Sequence, residues 1–381
     1  MERSWIEVNL GAIKYNLEQI KRKIGKNKIL ACIKADGYSH GATTVANTIK
    51  KEVEFFGVAT IAEAIELRTA GIKKPILILG TILPEEASAV IKNNLSATVC
   101  TVSLANALSI SAKKRRKIAK IQIKVDTGMG RIGIKPIGAI EFIKKVKGFS
   151  NLFLEGLFSH FPSAEIDLSF SQKQVKVFKD LITKLKKMGI EFPFYHLANS
   201  AAILNLKNSY FNLVRPGIIL YGIYPSVKIK RTVKLKPALS LKSRVVFIKG
   251  IEKGDSVSYG RRYRAKKRRI VATLPIGYAD GVDRKFSNKG VVLLSGKRCA
   301  IIGTICMDQL MVDATGIKDL KIGDEAVLIG KQKRQRISVE EIAEMINTVP
   351  QEIVSRLGKR LPRIYKEEYA EPRDTCPNKK N

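Results

Sequence analysis

The sequence predicts a TIM-type (β/α)8 barrel over residues 10–236. A mainly antiparallel β-domain over residues 237–365, with residues 1–9 added to it, is predicted to follow. Short apolar runs alternate with helical stretches eight times within about 230 residues, and alternation of that kind builds a parallel sheet. Beyond Pro237 the texture changes to closely spaced β-prone segments separated by glycines, which read as antiparallel hairpins. A chain of 381 residues also exceeds the usual ceiling for one hydrophobic core.

From Asn9 to Gly25, Leu10, Ile13, Leu17, Ile20 and Ile24 mark one face of a helix, with Asn9 as its cap and Gly25 as its stop. The run Ile29 to Ile33 reads as a buried strand delivering Lys34, and Gly37 and Gly41 let the backbone turn sharply behind it. Seven more strand candidates follow: Phe55 to Ala59, Ile76 to Gly80, Ala97 to Cys100, Ile118 to Val125, Phe153 to His160, Tyr195 to Asn199 and Phe211 to Arg215. Between the sixth and seventh strands lies the clearest helix, with Val175, Phe178, Leu181, Ile182, Leu185 and Met188 on one side and Gly189 closing it. In the second domain the strand candidates are Ser243 to Ile248, Arg269 to Leu274, Gly290 to Leu294, Ala300 to Ile305, Leu310 to Asp313 and Ala326 to Ile329. Ser338 and Glu341 form a capping box ahead of Ile342, Met345 and Ile346. The charged, proline-containing residues 366–381 have little to pack and are expected to be disordered.

Hydrophobic residues make up 45% of the chain, yet no apolar stretch approaches the length that spans a bilayer. The opening Met1-Glu2-Arg3-Ser4-Trp5 lacks the cationic and long apolar stretches of an export signal, so a cytoplasmic location is expected. Five scattered cysteines without a C-x-x-C pair predict reduced thiols. Three histidines without ligand spacing predict no metal site. The net charge of +35 would attract anionic substrates or cofactors. Its dense runs, Lys113 to Lys117 and Arg261 to Arg269, lack interleaved aromatics and read as solvated faces rather than a dedicated nucleic-acid partner site.

Four polar signatures fall at the carboxyl ends of the barrel strands, where such barrels place function. Lys34 with Tyr38 comes first: a lysine amine kept neutral by burial makes Schiff bases with carbonyls, whereas an ordinary strand-end lysine reaches for solvent. Lys124 to Arg131 runs from a strand into a loop with two glycines and a fixed cation, suited to an anionic group. His160, with His196 to Ser200 one strand later, offers a hydroxyl and backbone amides to a phosphate. Arg215-Pro216-Gly217-Ile218 adds a second fixed cation before a glycine turn. Each has a structural reading as a buried ion pair, a cap or a core histidine. Their shared location points instead to an anionic cofactor held by a Schiff base. In the second domain Tyr259 lies in a glycine turn among Arg261, Arg262 and Arg264, a setting that favours phenolate, although an ordinary turn tyrosine reads the same way. Asp308 fits a turn cap equally well.

Taken in order, these blocks resemble those of the bacterial alanine racemases, pyridoxal-phosphate enzymes of fold type III. The resemblance runs from about Trp5 to Tyr365 and covers Lys34 to Gly41, Asp126 to Gly133, His196 to Ala202, Arg215 to Gly222, Val257 to Gly260, Pro275 to Gly281 and Ile305 to Gln309. It implies interconversion of L- and D-alanine by a two-base mechanism, supplying D-alanine for peptidoglycan, in a homodimer that shares its active sites. Lys34 would hold pyridoxal 5'-phosphate and serve one face of the substrate α-carbon, and Tyr259 of the other subunit would serve the opposite face. Tyr38, Ser200, Gly217 and Ile218 match phosphate-binding positions, and Arg215 matches the partner of the pyridine nitrogen. Arg131 and the backbone at Met307 match substrate-carboxylate contacts. His160 matches a support for Tyr259 and Arg215, and Tyr278 with Asp308 matches the substrate's path and lining. Lys124 matches a position that carries a carbamate in some relatives. Ser39 stands where a glycine is common, and Pro350-Gln351 and Lys359 stand where relatives often show tyrosines, one of which touches the cofactor phosphate. A broader amino-acid racemase, acting for example on serine, and a non-catalytic pyridoxal-phosphate carrier are the alternatives; the second domain with Tyr259 argues against the carrier.

Overall fold

The computed structural model describes residues 2–367. Nine strands are labelled in chain order: β1 (Ser4–Asn9), β2 (Lys28–Cys32), β3 (Phe55–Val58), β4 (Ile76–Ile78), β5 (Ser96–Val99), β6 (Ala119–Lys124), β7 (Leu152–Phe158), β8 (Phe194–His196) and β9 (Leu213–Val214). Strands β2 to β9 form one eight-stranded sheet, parallel throughout, in the order β8-β7-β6-β5-β4-β3-β2-β9. It closes as a barrel because Asn212 N donates to Tyr195 O at 3.4 Å and Arg215 N to Ala198 O at 3.0 Å. Alternation along β2 sends Leu30 and Cys32 into the barrel, against Phe55, Leu77 and Leu213. The intervening Ile29, Ala31 and Ile33 join the larger core under the helices. The same parity leaves Lys34 over Cys32 at the barrel mouth.

Helix Leu10–Ile24 begins and ends where the sequence places it: Asn9 Oδ1 accepts from Ala12 N at 2.8 Å, and Gly25 takes φ +65°. Its buried Asn16 donates to Leu220 O and Lys236 O and accepts from Lys236 N, fixing the chain where it leaves the barrel. The helix predicted to end in Met188 spans Leu168–Lys187, and Met188 is exposed rather than on the apolar face. There the helix has already ended, so the 3.6-residue spacing no longer aims the side chain inward.

Among the described residues the second sheet has ten strands and is antiparallel except where β1 pairs in parallel with the strand Arg363–Lys366. Ser243 to Ile248, expected as one strand, is two. Leu239–Arg244 pairs with Glu325–Gln332 and Phe247–Ile251 with Arg269–Leu274, and the chain crosses between them as Val245 N bonds Asp324 O and Val246 N bonds Thr273 O. The strand expected from Ala300 to Ile305 is Lys297–Ile302, ended by Gly303 at φ +77°. Helix Val339–Met345 is capped by Ser338, whose Oγ accepts from Glu341 N. The Glu341 carboxylate pairs with Arg298 instead of completing the box. Lys366, expected in the disordered tail, ends the terminal strand opposite Asn9, whereas 368–381 lie outside the described residues. No described helix is long and apolar enough to cross a membrane.

Candidate active site

At the carboxyl end of β2 the backbone does something its glycines do not require. Ala35, Asp36, Gly37, Tyr38 and Ser39 all take positive φ, from 53° to 64°, making one turn of left-handed helix. Left-handed backbone costs roughly 1–2 kcal/mol per residue bearing a side chain, so the turn needs external support. Glu63 supplies part of it: one carboxylate oxygen accepts from Ala35 N at 2.7 Å, while the other completes the capping box of helix Ile61–Thr69. Asp36 accepts from Ala42 N at 2.9 Å. His40, neutral because burial pushes it down to about 4, donates from Nδ1 to Tyr38 O at 2.8 Å and Gly37 O at 3.0 Å. Beneath the turn, the Tyr221 ring packs at a tilt against His40 and Tyr38, and its hydroxyl donates to Cys32 O. Lys34 is thus half-buried on a braced turn, rather than terminating a strand next to a glycine hinge.

Arg215 lies behind it, 3% exposed. Its guanidinium donates to His196 Nδ1 at 2.8 Å, Ser159 O at 2.8 Å, Leu197 O at 3.0 Å and His160 Nδ1 at 3.2 Å. Arginine has only donors, so both imidazoles must present a lone pair at Nδ1. Burial, then the Arg215 charge, holds both histidines well below their ordinary range and keeps them in that form. His196 Nε2–H then donates to Gln122 Oε1 at 2.8 Å, and Gln122 Nε2 donates to Glu155 Oε2 at 2.9 Å. The chain Glu155, Gln122, His196, Arg215 is buried from end to end. Burial pushes Arg215 down only to about 10, so it stays charged.

Lys124, 2% exposed, places its Nζ 4.5 Å from the centre of the Phe158 ring, on which His196 also stacks. Burial first, then Arg215 and Arg131, pushes its amine down to about 7. The glycine loop after it does not offer its amides to a ligand: Gly128, Met129 and Gly130 all donate to Asp126 at 2.8–3.1 Å. Burial works against ionisation there, but the three N–H groups together hold the Asp126 carboxyl below its ordinary range. The expected anion nest is filled by its own aspartate. Arg131 remains on the wall of the cleft.

The cleft holds about 450 Å³ and is lined by Lys34, Tyr38, Lys124, Arg131, His160, Ser200, Arg215, Gly217 and Ile218 among others. Its basic lining is Lys34, Arg131 and Arg215, with the partly protonated Lys124, against one carboxylate, Glu165, so the ligand it suits is an anion. In the same cleft, Ser200 Oγ accepts from Gly217 N at 2.9 Å and keeps its own proton to donate. The Tyr38 hydroxyl sits so close to Gly217 that a β-carbon there would come within 2.7 Å of it. These groups form a small donor-rich recess.

Four predicted residues are elsewhere. Tyr259, Tyr278, Met307 and Asp308 are exposed, Tyr259 by 70%, and cluster on the second domain: Thr304 Oγ1 donates to Tyr259 O, Tyr278 N to Cys306 O, and Arg360 to Asp308. None lines the cleft of its own chain, and His160 contacts Arg215 without Tyr259. Lys359 is exposed and also outside the lining, whereas Gln351 is within it. Sequence reasoning passed over Glu63, Gln122 and Glu155. Thr60-x-x-Glu63 is a readable capping box, Glu155 is a polar interruption in an otherwise apolar strand, and Gln122 stands between two isoleucines in its own, where a buried polar group needs a partner.

Comparisons with known proteins identify the family. Residues 8–225 match the family "Alanine racemase, N-terminal domain", and residues 238–365 match "Alanine racemase, C-terminal domain". Alanine racemase 1 of Caldanaerobacter subterraneus subsp. tengcongensis is 45% identical over 364 residues, covering 94% of each chain. The alanine racemase structure from Clostridium difficile 630 superposes with a TM-score of 0.92 at 38% identity, covering 97% of both chains. The one from Bacillus anthracis with bound L-Ala-P gives 0.91 at 37% identity, covering 97% of this chain and 96% of that one. With both domains matched and the likeness extending through nearly the whole length, this chain belongs to the alanine racemase family.

Proposed function

We propose that the cleft interconverts L- and D-alanine with pyridoxal 5'-phosphate as cofactor, working in a homodimer and supplying D-alanine for peptidoglycan. The observation that carries this reading is the convergence of Lys34, Tyr38, Ser200, Arg215 and Gly217 on one cationic cleft. The donor set fits the cofactor: a recess that a single β-carbon would fill suits the phosphate, a charged arginine suits the ring nitrogen, and an amine lines the same cleft. When bound, the cofactor supplies a conjugated, electron-withdrawing ring that acidifies the substrate Cα–H.

The residues of the chain do the rest. Lys34 Nζ takes or returns the α-proton on one face, and Tyr259 Oη of a second copy returns or takes it on the other. Racemisation removes a proton from one face of the α-carbon and returns one to the other, so two opposed groups are the economical design. That Tyr259 is 70% exposed and absent from its own cleft supports its working in another subunit's. Arg215 would hold the ring nitrogen with an N–H it does not surrender, so the bound ring would be a weaker electron sink and reprotonation would be favoured over side reactions. Its direction is fixed by His160 and His196. Arg131 and the second copy's Met307 backbone hold the substrate carboxylate, and that copy's Tyr278 and Asp308 line the approach. Lys124, with an amine near its midpoint at neutral pH, has the uncharged form that carbon dioxide converts to a carbamate beside Arg131.

The test is a racemisation assay across L-amino acids together with borohydride trapping. Alanine should turn over fastest and the trapped label should map to Lys34. Retention of the visible absorbance and of trapping in Lys34→Ala would refute the cofactor assignment.

A further inference from the structure

The left-handed turn bearing Lys34 and Tyr38 is braced from two sides, and only one side belongs to the barrel. The other brace is Arg363, in the last strand described. Its side chain is only 11% exposed. It donates through Nε to Ser39 O at 3.4 Å, brings Nη2 to 3.6 Å from Asp36 Oδ2, and anchors Nη1 on Gly358 O at 2.9 Å and Leu361 O at 2.8 Å. Every nitrogen of the fork is engaged, which a flexible lysine would not reproduce. The same segment touches the turn twice more: Ser39 Oγ donates to Leu357 O, and a β-carbon on Gly41 would overlap the Tyr365 hydroxyl. The strand is itself fixed through β1, with Ile6 N donating to Pro362 O.

We propose that Arg363 is a positioning residue: by locking Asp36 and Ser39 it holds the turn so that Tyr38 faces the Gly217 recess and Lys34 the cleft. The inference rests on the function proposed above. Loss of Arg363 leaves the barrel and both sheets intact and releases the turn toward the backbone conformations that its non-glycine residues prefer. The Tyr38 hydroxyl then leaves the recess and the anionic end of the cofactor loses a donor.

The experiment compares the full-length wild type with Arg363→Gln and Arg363→Lys. Hydrogen–deuterium exchange is read in the cofactor-stripped chains, and their titration with pyridoxal 5'-phosphate is followed by visible absorbance. In Arg363→Gln, amides 35–41 should exchange about tenfold faster while β6 and strand Leu239–Arg244 keep their protection. The dissociation constant should rise about tenfold, with Arg363→Lys between the two. Unchanged exchange at 35–41, a loss of protection across both sheets, or a looser turn with unchanged affinity would each overturn the proposal. Should the wild type take up no pyridoxal 5'-phosphate, the proposed function fails, and the exchange pattern alone still decides whether Arg363 holds the turn.

Discussion

Gly217 is the position where one added methyl group should report most cleanly on the recess. A β-carbon there meets Tyr38 Oη at 2.7 Å, Tyr38 Cζ at 3.5 Å and Cys32 Cβ at 3.7 Å. To reach an ordinary contact of about 3.5 Å the hydroxyl must retreat by roughly 0.8 Å. It has little room: the Tyr38 ring lies 5.2 Å from that of Tyr221, and its backbone is part of the braced turn. Overpacking of this kind costs about 1–3 kcal/mol. Because the displaced group is the proposed donor to phosphate, the cost should appear in ligand affinity as a rise of about 10- to 100-fold in the pyridoxal 5'-phosphate dissociation constant for Gly217→Ala. Absorbance titration measures it, and the thermal midpoint of the cofactor-free protein separates it from general destabilisation. Tyr38→Phe removes the clashing oxygen, so the double variant should lose less than the sum of the two single losses. An affinity for Gly217→Ala within about twofold of wild type would refute the recess as the phosphate site.

Two further expectations concern the buried polar groups. Lys124 titrates near 10.5 when unfolded and at about 7 when folded. Between those values the unfolded chain binds more protons, so stability rises with pH across that window, and at or below pH 7 the full penalty, on the order of 5 kcal/mol, applies. Lys124→Met should therefore stabilise the protein far more at pH 6 than at pH 10 in chemical denaturation; a gain independent of pH would contradict the depressed amine. Gln122→Leu strands His196 Nε2–H and one Glu155 oxygen in the core. It should cost about 1–3 kcal/mol for each orphaned group and lower the thermal midpoint by several degrees; a midpoint unchanged from wild type would show that the chain of hydrogen bonds carries no stability.

Much of the architecture was legible because it rests on periodicity. The eight apolar runs lie within a few residues of β2 to β9, and the Asn9 and Gly25 signals bound the first helix as read. Signals that depend on a distant partner were not legible. Ser243 to Ile248 looks like one strand because nothing local marks the exchange of neighbours at Val245. The Asp126 to Arg131 loop looks like a nest for an outside anion, since nothing local shows that the Asp126 side chain folds back to take all three amides. The Lys34 turn misled in the opposite direction: Gly37 and Gly41 were the visible cues, yet Ala35, Asp36, Tyr38 and Ser39 adopt left-handed backbone because Glu63, His40 and Arg363 hold them there. Motif order placed Lys34, Arg131, His160, Ser200 and Arg215 as candidates, and the cleft gathers all of them. No pattern in one chain locates Tyr259 relative to a second.

That relation is the central claim, and subunit complementation tests it directly. Lys34→Ala and Tyr259→Phe proteins, each inactive as a homodimer, are mixed under conditions that exchange subunits. Each hybrid then contains one site with both Lys34 and Tyr259. Random reassortment should restore about one quarter of wild-type racemase activity per subunit. A mixture that has demonstrably exchanged its subunits and remains as inactive as its parents would contradict a site shared between two copies.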